Sequence, residues 1–196
     1  MRRASALCLL ALALAAVADL AAHASADGTD AATRRLLVNG DSLAVGTRPY
    51  IPRELARWEV RQSTAISRQA GDGAAIMRAY GRSLPRVIHV SLGTNDDPAQ
   101  VSAFRAAIRA VMDAAGPNRC VVWTNIVRPP YGGVSYRGYN RALAAESRLR
   151  ENLRVVNWSR MARQNPGWFG SDRVHPSAEG YRARAEAVAR SVRRCV

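Results

Sequence analysis

Lysine is absent from this 196-residue chain: the 29 basic residues are all arginine, against 15 acidic ones, for a formal charge of +14. Such one-sided usage looks like a bias in coding composition, so the choice of arginine argues for no particular ligand. The excess charge fits two readings: a solvated surface of biased composition, or adsorption to anionic wall polymers and lipid headgroups. Nucleic acid is not expected as a partner, because the arginines are scattered over all the predicted helices and no nucleic-acid motif occurs. No His, Cys and acid residues cluster at zinc-like spacing, so neither a metal nor another cofactor is expected. Internal repeats are lacking. So is a long apolar run beyond the N-terminal segment, which predicts a soluble mature chain without a membrane span. Histidine and cysteine are scarce, with three of each.

The first residues, MRRASALCLLALALAAVADLAAHASADG, read as a secretory signal over 1–26. Arg2 and Arg3 open it, residues 6–17 are almost all apolar, and small residues precede Asp27. Cleavage is expected after Ala24 or Ala26, which predicts a secreted, extracytoplasmic protein. An uncleaved anchor is the alternative, disfavoured because the run is short of the roughly 20 residues a spanning helix needs. Residues 27–33 read as a flexible leader and 34–196 as one domain with a sizeable core. Cys120 and Cys195 survive signal removal. In an oxidising compartment such a pair suggests a disulfide, two free buried thiols being the alternative.

Strand and helix patterns then alternate. A short apolar run at 34–40 that ends at glycine, a weaker, half-alternating pattern at 58–66 and β-branched runs at 86–93, 120–127 and 153–159 read as strands. Between and after them, helical spacing is found at 72–84, 97–116, 136–152 and 177–195. Val101, Phe104, Ile108, Val111 and Met112 form one apolar stripe, and Gly116 marks its end. Such alternation predicts right-handed βαβ units and a three-layer α/β/α sandwich: a flavodoxin-like five-stranded parallel sheet in the order 2-1-3-4-5. Ligands of such sheets bind outside the carboxyl ends of the strands. Ser42, the segment GTND (93–96) and the segment GSDRVHPS (170–177) all fall on that edge. Cys120 and Cys195 fall on the opposite one, where a bridge would be structural.

A serine hydroxyl needs an adjacent base to act as a nucleophile. Beyond the signal only His89 and His175 remain. His89 is mid-strand and reads as a packed core residue. His175 lies in a loop at the ligand edge, three residues after Asp172. A carboxylate there can fix the imidazole tautomer and leave the other ring nitrogen for Ser42. The Ser42 amide and the Asn95 side chain are candidate donors to an oxyanion. Asn95 could instead cap the helix predicted at 97, but Asp96 and Asp97 suit that role.

GDSL (40–43), GTND (93–96) and DRVH (172–175) resemble, in order and spacing, three blocks of the SGNH hydrolase superfamily, the GDSL-type esterases and lipases. The similarity spans residues 34–196, and the C-terminal part is most similar to small SGNH domains of surface-polysaccharide acyltransferases. The resemblance implies a free-standing exported serine hydrolase with Ser42 as nucleophile, His175 as general base and Asp172 as orienting acid. It also implies a third oxyanion donor from a glycine amide in a further block. The aligned position here is Ser67, with Gly71 as the alternative. Without a G-x-S-x-G elbow, the larger α/β-hydrolase fold is disfavoured.

The expected activity is hydrolysis of short-acyl esters, such as acetyl, on carbohydrate or cell-envelope substrates. Tyr131, Trp168 and Phe169 either line a substrate pocket or pack the loops. An O-acyltransferase using the same residues and a catalytically silent envelope-binding module are the alternatives.

Overall fold

In the computed structural model, residues 34–196 are described; the predicted signal and leader lie outside the described residues. Five strands pair in parallel in the order β2-β1-β3-β4-β5. They are β1 (Arg35–Gly40), β2 (Glu59–Thr64), β3 (Val87–Ser91), β4 (Cys120–Thr124) and β5 (Leu153–Val156). This is the predicted sheet, each strand being a residue or more shorter than its apolar run.

Alternation within each strand builds two cores. Leu37, Ile88, Val90, Val121 and Trp123 face one side, with helices α3 (Ala70–Tyr80), α4 (Val101–Ala115) and α5 (Arg137–Arg148) packed over them. Leu36, Val38, Val87 and Val122 face the other. There they meet α1 (Ser42–Thr47), α2 (Ile51–Glu54) and the last helix, α7 (Ala178–Arg193). The predicted stripe on α4 is buried as Phe104, Ile108, Val111 and Met112. Gly116 ends that helix at φ +68°, a backbone that glycine adopts without steric cost.

Helix α2 and the short elements after β5 were not predicted. The run at 153–159 is not all strand: Asn157 accepts a bond from the Arg160 amide and starts helix α6 (Trp158–Gln164). A 3-10 turn (Pro166–Trp168) then leads into the loop of Asp172. That loop follows this helix and turn, not β5 directly. No helix among the described residues is long and apolar enough to cross a membrane.

Cys120 and Cys195 form a disulfide that ties the end of α7 to the start of β4, across 75 residues of sequence. Closing a loop of that length removes much conformational freedom from the unfolded chain. Cys195→Ser is therefore expected to lower unfolding free energy by about 2–4 kcal/mol, read by urea titration. Because the bridge lies at the edge away from Ser42, kcat at a temperature where the variant stays folded should not change.

Candidate active site

The serine turn is built by packing and capping. A Cβ on Gly40 would lie 2.4 Å from the Ala44 Cβ and 3.0 Å from the Ser91 carbonyl oxygen, so only glycine fits where β1 turns into α1. The buried Asp41 caps that helix: its carboxylate accepts from the Leu43 amide at 3.0 Å, and its own amide donates to the Ser91 carbonyl at 3.0 Å. Ser42 is the first residue of the helix, so its amide has no acceptor inside it.

The histidine loop is held equally closely. Phe169 and Pro176 form an isolated bridge, and the Ser177 amide donates to the Trp168 carbonyl at 2.6 Å. Between these ties Arg173 adopts a positive φ of 52°. One Asp172 oxygen accepts from the Val174 amide at 2.9 Å and the His175 amide at 3.1 Å. The other lies 2.7 Å from His175 Nδ1. The far ring nitrogen, Nε2, lies 3.0 Å from the Ser42 hydroxyl oxygen. Three residues separated by up to 133 positions thus form one hydrogen-bonded chain. The amide of Val174 first, then the His175 side chain and amide, hold the Asp172 carboxyl at about 2.

Ser67 and Asn95 share a pocket of about 380 Å³ with Gln69, Asp96, Asp97, Arg128, Tyr131 and Tyr136. The Asn95 side chain donates to the Arg68 carbonyl at 3.3 Å. Asp96 does not cap the helix that follows it. Its carboxylate accepts from the Ala70 amide and caps α3 instead. Burial pushes its pKa up to about 6, against the pull of that bond. Asp97 receives the Ala99 amide at 3.0 Å, a local turn before α4 begins at Val101.

Gly71 lies inside the first turn of α3, where a Cβ would meet nothing within 4 Å, and it does not line the pocket. Ser67 does line it, with φ +61°. A serine pays a steric penalty there that glycine avoids. Ser67→Gly is expected to raise stability by about 0.5–1 kcal/mol, less than the full penalty because glycine also loosens the unfolded chain. Urea unfolding of the two proteins measures the difference.

Of the three aromatic candidates, only Tyr131 lines this pocket, with the Arg128 guanidinium 5.8 Å from its ring. Trp168 stacks on Trp158 with ring centres 5.5 Å apart, and Phe169 lies against the same ring at 6.0 Å. Both precede the histidine loop in the chain and tie its start to Trp158. His89 is buried mid-strand, 2.9 Å from the Thr124 hydroxyl. Burial, then the nearby Arg184 charge, lower its pKa to about 3, so it stays neutral.

Asp41, Ser91 and Arg184 escaped the sequence analysis. Arg184 is 1% exposed, and one of its nitrogens donates to the Ser91 hydroxyl at 3.1 Å. The available signal was its spacing: it sits four and eight residues before Val188 and Val192, on the buried stripe of α7.

The profile of the GDSL-like lipase/acylhydrolase family matches residues 38–183. The chain therefore belongs to that family, whose members are carboxylic ester hydrolases. No curated protein sequence matches it. Among solved structures, the C-terminal catalytic domain of a peptidoglycan O-acetyltransferase from Streptococcus pneumoniae is similar at 16% identity and TM-score 0.64, covering 82% of this chain and 90% of that one. A carbohydrate esterase of family 3 from Talaromyces cellulolyticus aligns at 16% identity and TM-score 0.70, with 82% and 96% covered. A GDSL-like lipase from Bacteroides thetaiotaomicron aligns at 16% and 0.67, with 84% and 90% covered.

Proposed function

We propose that the protein is an exported serine esterase that removes short acyl groups, acetyl above all, from carbohydrate or cell-envelope esters. The observation that carries this reading is the chain Ser42 Oγ, His175 Nε2, His175 Nδ1, Asp172 Oδ2, with contacts of 3.0 and 2.7 Å.

The chemistry follows from those distances. Asp172 accepts a hydrogen bond from Nδ1–H, which leaves Nε2 as the acceptor facing Ser42. The hydroxyl loses its proton to Nε2 as its oxygen bonds to the ester carbonyl carbon, and the carbonyl oxygen becomes an oxyanion. The Ser42 amide, the second side-chain N–H of Asn95 and the Ser67 amide are its donors. The imidazolium returns the proton to the departing alcohol, and an acyl-Ser42 ester remains. Water then attacks that ester, gives its proton to Nε2, and the carboxylic acid leaves as Ser42 regains its hydrogen.

Three observations support the choice of substrate. The lining of the pocket around Ser67 and Asn95 contains no aliphatic side chain, which suits a hydroxyl-rich alcohol and not a long acyl chain. The side chains of His175 and Asp172 are 48% and 51% exposed, so water reaches the acyl-enzyme and hydrolysis is favoured. Two structurally similar proteins carry peptidoglycan O-acetyltransferase and carbohydrate esterase in their names. Export rests on the N-terminal sequence, and the disulfide agrees with an oxidising compartment. The scattered arginines would add weak attachment to anionic envelope polymers.

Incubation with an O-acetylated glycan tests the reading. Free acetate from the wild type, and none from Ser42→Ala, is the expected result. Acetyl moved to an added sugar acceptor without release of acetate indicates a transferase. Salt-sensitive glycan or wall binding with neither product indicates a silent binding module.

A further inference from the structure

Two buried ionisable side chains lie beneath the serine turn with incomplete bonding: burial raises the Asp41 pKa, and the Arg184 charge works against that shift and so favours the carboxylate. Asp41 has one oxygen bonded to the Leu43 amide and, at 3.4 Å, to the Ser91 hydroxyl; its other oxygen has no protein partner. Arg184 donates one nitrogen to that same Ser91 hydroxyl, while its Nε and Nη1 are buried without a protein partner. Burial lowers the Arg184 pKa to about 10, with Asp41 acting against the shift, so the guanidinium is charged at neutral pH. On its other side Arg184 lies over the Trp158 ring at 5.8 Å. That ring carries Trp168 and Phe169, the residues leading to Asp172.

Stability alone does not explain such a residue. A buried guanidinium loses its hydration, and an apolar side chain of similar size commonly fills such a site at no cost or with a gain. What the cation supplies here is geometric and electrostatic. Through Ser91 it touches the cap of the helix that begins at Ser42, and through Trp158 it touches the loop that ends at His175. An uncompensated Asp41 carboxylate beside the Ser42 amide would also oppose the negative charge that forms there during acyl transfer.

We propose that Arg184 is a positioning residue: its buried guanidinium balances the Asp41 carboxylate and holds the serine turn in register with the loop of Asp172 and His175. The inference rests on the esterase reading above.

The test compares the full-length wild type with Arg184→Met, Arg184→Lys, Asp41→Asn and the double variant Asp41→Asn/Arg184→Met on an aryl acetate, with Ser42→Ala as blank. Kinetics and thermal midpoints are recorded for each. Arg184→Met is expected to lower kcat about 100-fold, the size of loss that a small misplacement of reacting groups produces. KM should stay within about twofold. Arg184→Lys, which keeps the charge, should lose about tenfold in kcat. The double variant should lose less than the product of the two single losses, because each single change strands the other charge.

Wild-type kcat in Arg184→Met, a loss confined to KM or to the melting temperature, or single losses that simply multiply would each overturn the proposal. Should Arg184→Met fail to fold, Arg184→Lys decides: reduced kcat at unchanged KM supports the role, and wild-type kcat rejects it. A wild type without Ser42-dependent hydrolysis overturns the esterase reading and this inference together. An active wild type with an equally active Arg184→Met overturns the inference alone.

Discussion

Ser42→Ala is expected to lower kcat/KM for an aryl acetate by about 10⁴-fold or more, the scale on which loss of an activated serine acts. The expectation follows from the number of roles that meet at one oxygen. Among the described residues it is the only hydroxyl hydrogen-bonded to His175 Nε2, at 3.0 Å, and it belongs to the residue whose amide is also a proposed donor to the oxyanion. The substitution leaves that amide, the Asp41 cap and the Gly40 turn untouched. The side chain is only partly buried, and alanine is a good residue in the first turn of a helix. The variant should therefore melt within a degree or two of the wild type, by the usual size of surface substitutions. Loss of activity with retained folding is the expected pair of readings. Progress curves on the substrate and a thermal melt provide both.

Asp172→Asn has the second largest expected effect, about 10²–10³-fold in kcat. Its value lies in what it preserves. An amide oxygen can still accept from the Val174 and His175 amides, so the loop keeps its shape. The amide nitrogen, however, is a donor where Nδ1 needs an acceptor. The imidazole must then carry its proton on Nε2, where it cannot take one from Ser42. The loss is placed below that of Ser42→Ala because the carboxylate is half-exposed and water can partly replace it.

The same carboxylate bears on stability at the acid end of the pH range. Its pKa lies at about 2, below the ordinary 3.8. A depressed folded-state value means that its contribution to stability is complete above the ordinary value and is lost as pH falls towards 2. Across the range where the enzyme is assayed Asp172 stays ionised. Asp172 should therefore add no inflection to kcat/KM above pH 4, and initial rates from pH 4 upward check it. An inflection above pH 4 that is absent from Asp172→Asn would show that Asp172 titrates in that range.

Sheet order and the convergence of Ser42, His175 and Asp172 were legible in the sequence for different reasons. The inner strands β1, β3 and β4 are largely buried on both faces, so each is a short apolar run that stands out against the arginine-rich helices, whereas the edge strand β2 is half exposed and its pattern is weaker. Gly40, Ser42, Asp172 and His175 lie within two short motifs, and βα topology brings both motifs to one edge of the sheet. The polar layer beneath was illegible because it depends on distance in space. Arg184 is one arginine among 29 basic residues, and its burial is seen only once α7 is laid against β3 and its Ser91. Asp96 shows the same limit: its neighbour Asp97 does serve a local turn, whereas Asp96 itself crosses to cap a helix 26 residues earlier. Ser67 stands where the family resemblance implies a glycine. The structure gives it φ +61°, a tertiary constraint that the residue type does not reveal.

The central claim is that His175 activates the Ser42 hydroxyl. The most direct measurement is labelling of the full chain with a serine-reactive fluorophosphonate, followed by mapping of the modified peptide. One adduct on Ser42, lost in His175→Ala at unchanged folding, is the predicted result. Ester hydrolysis that persists with Ser42 unlabelled, or an adduct on another serine, would contradict the account.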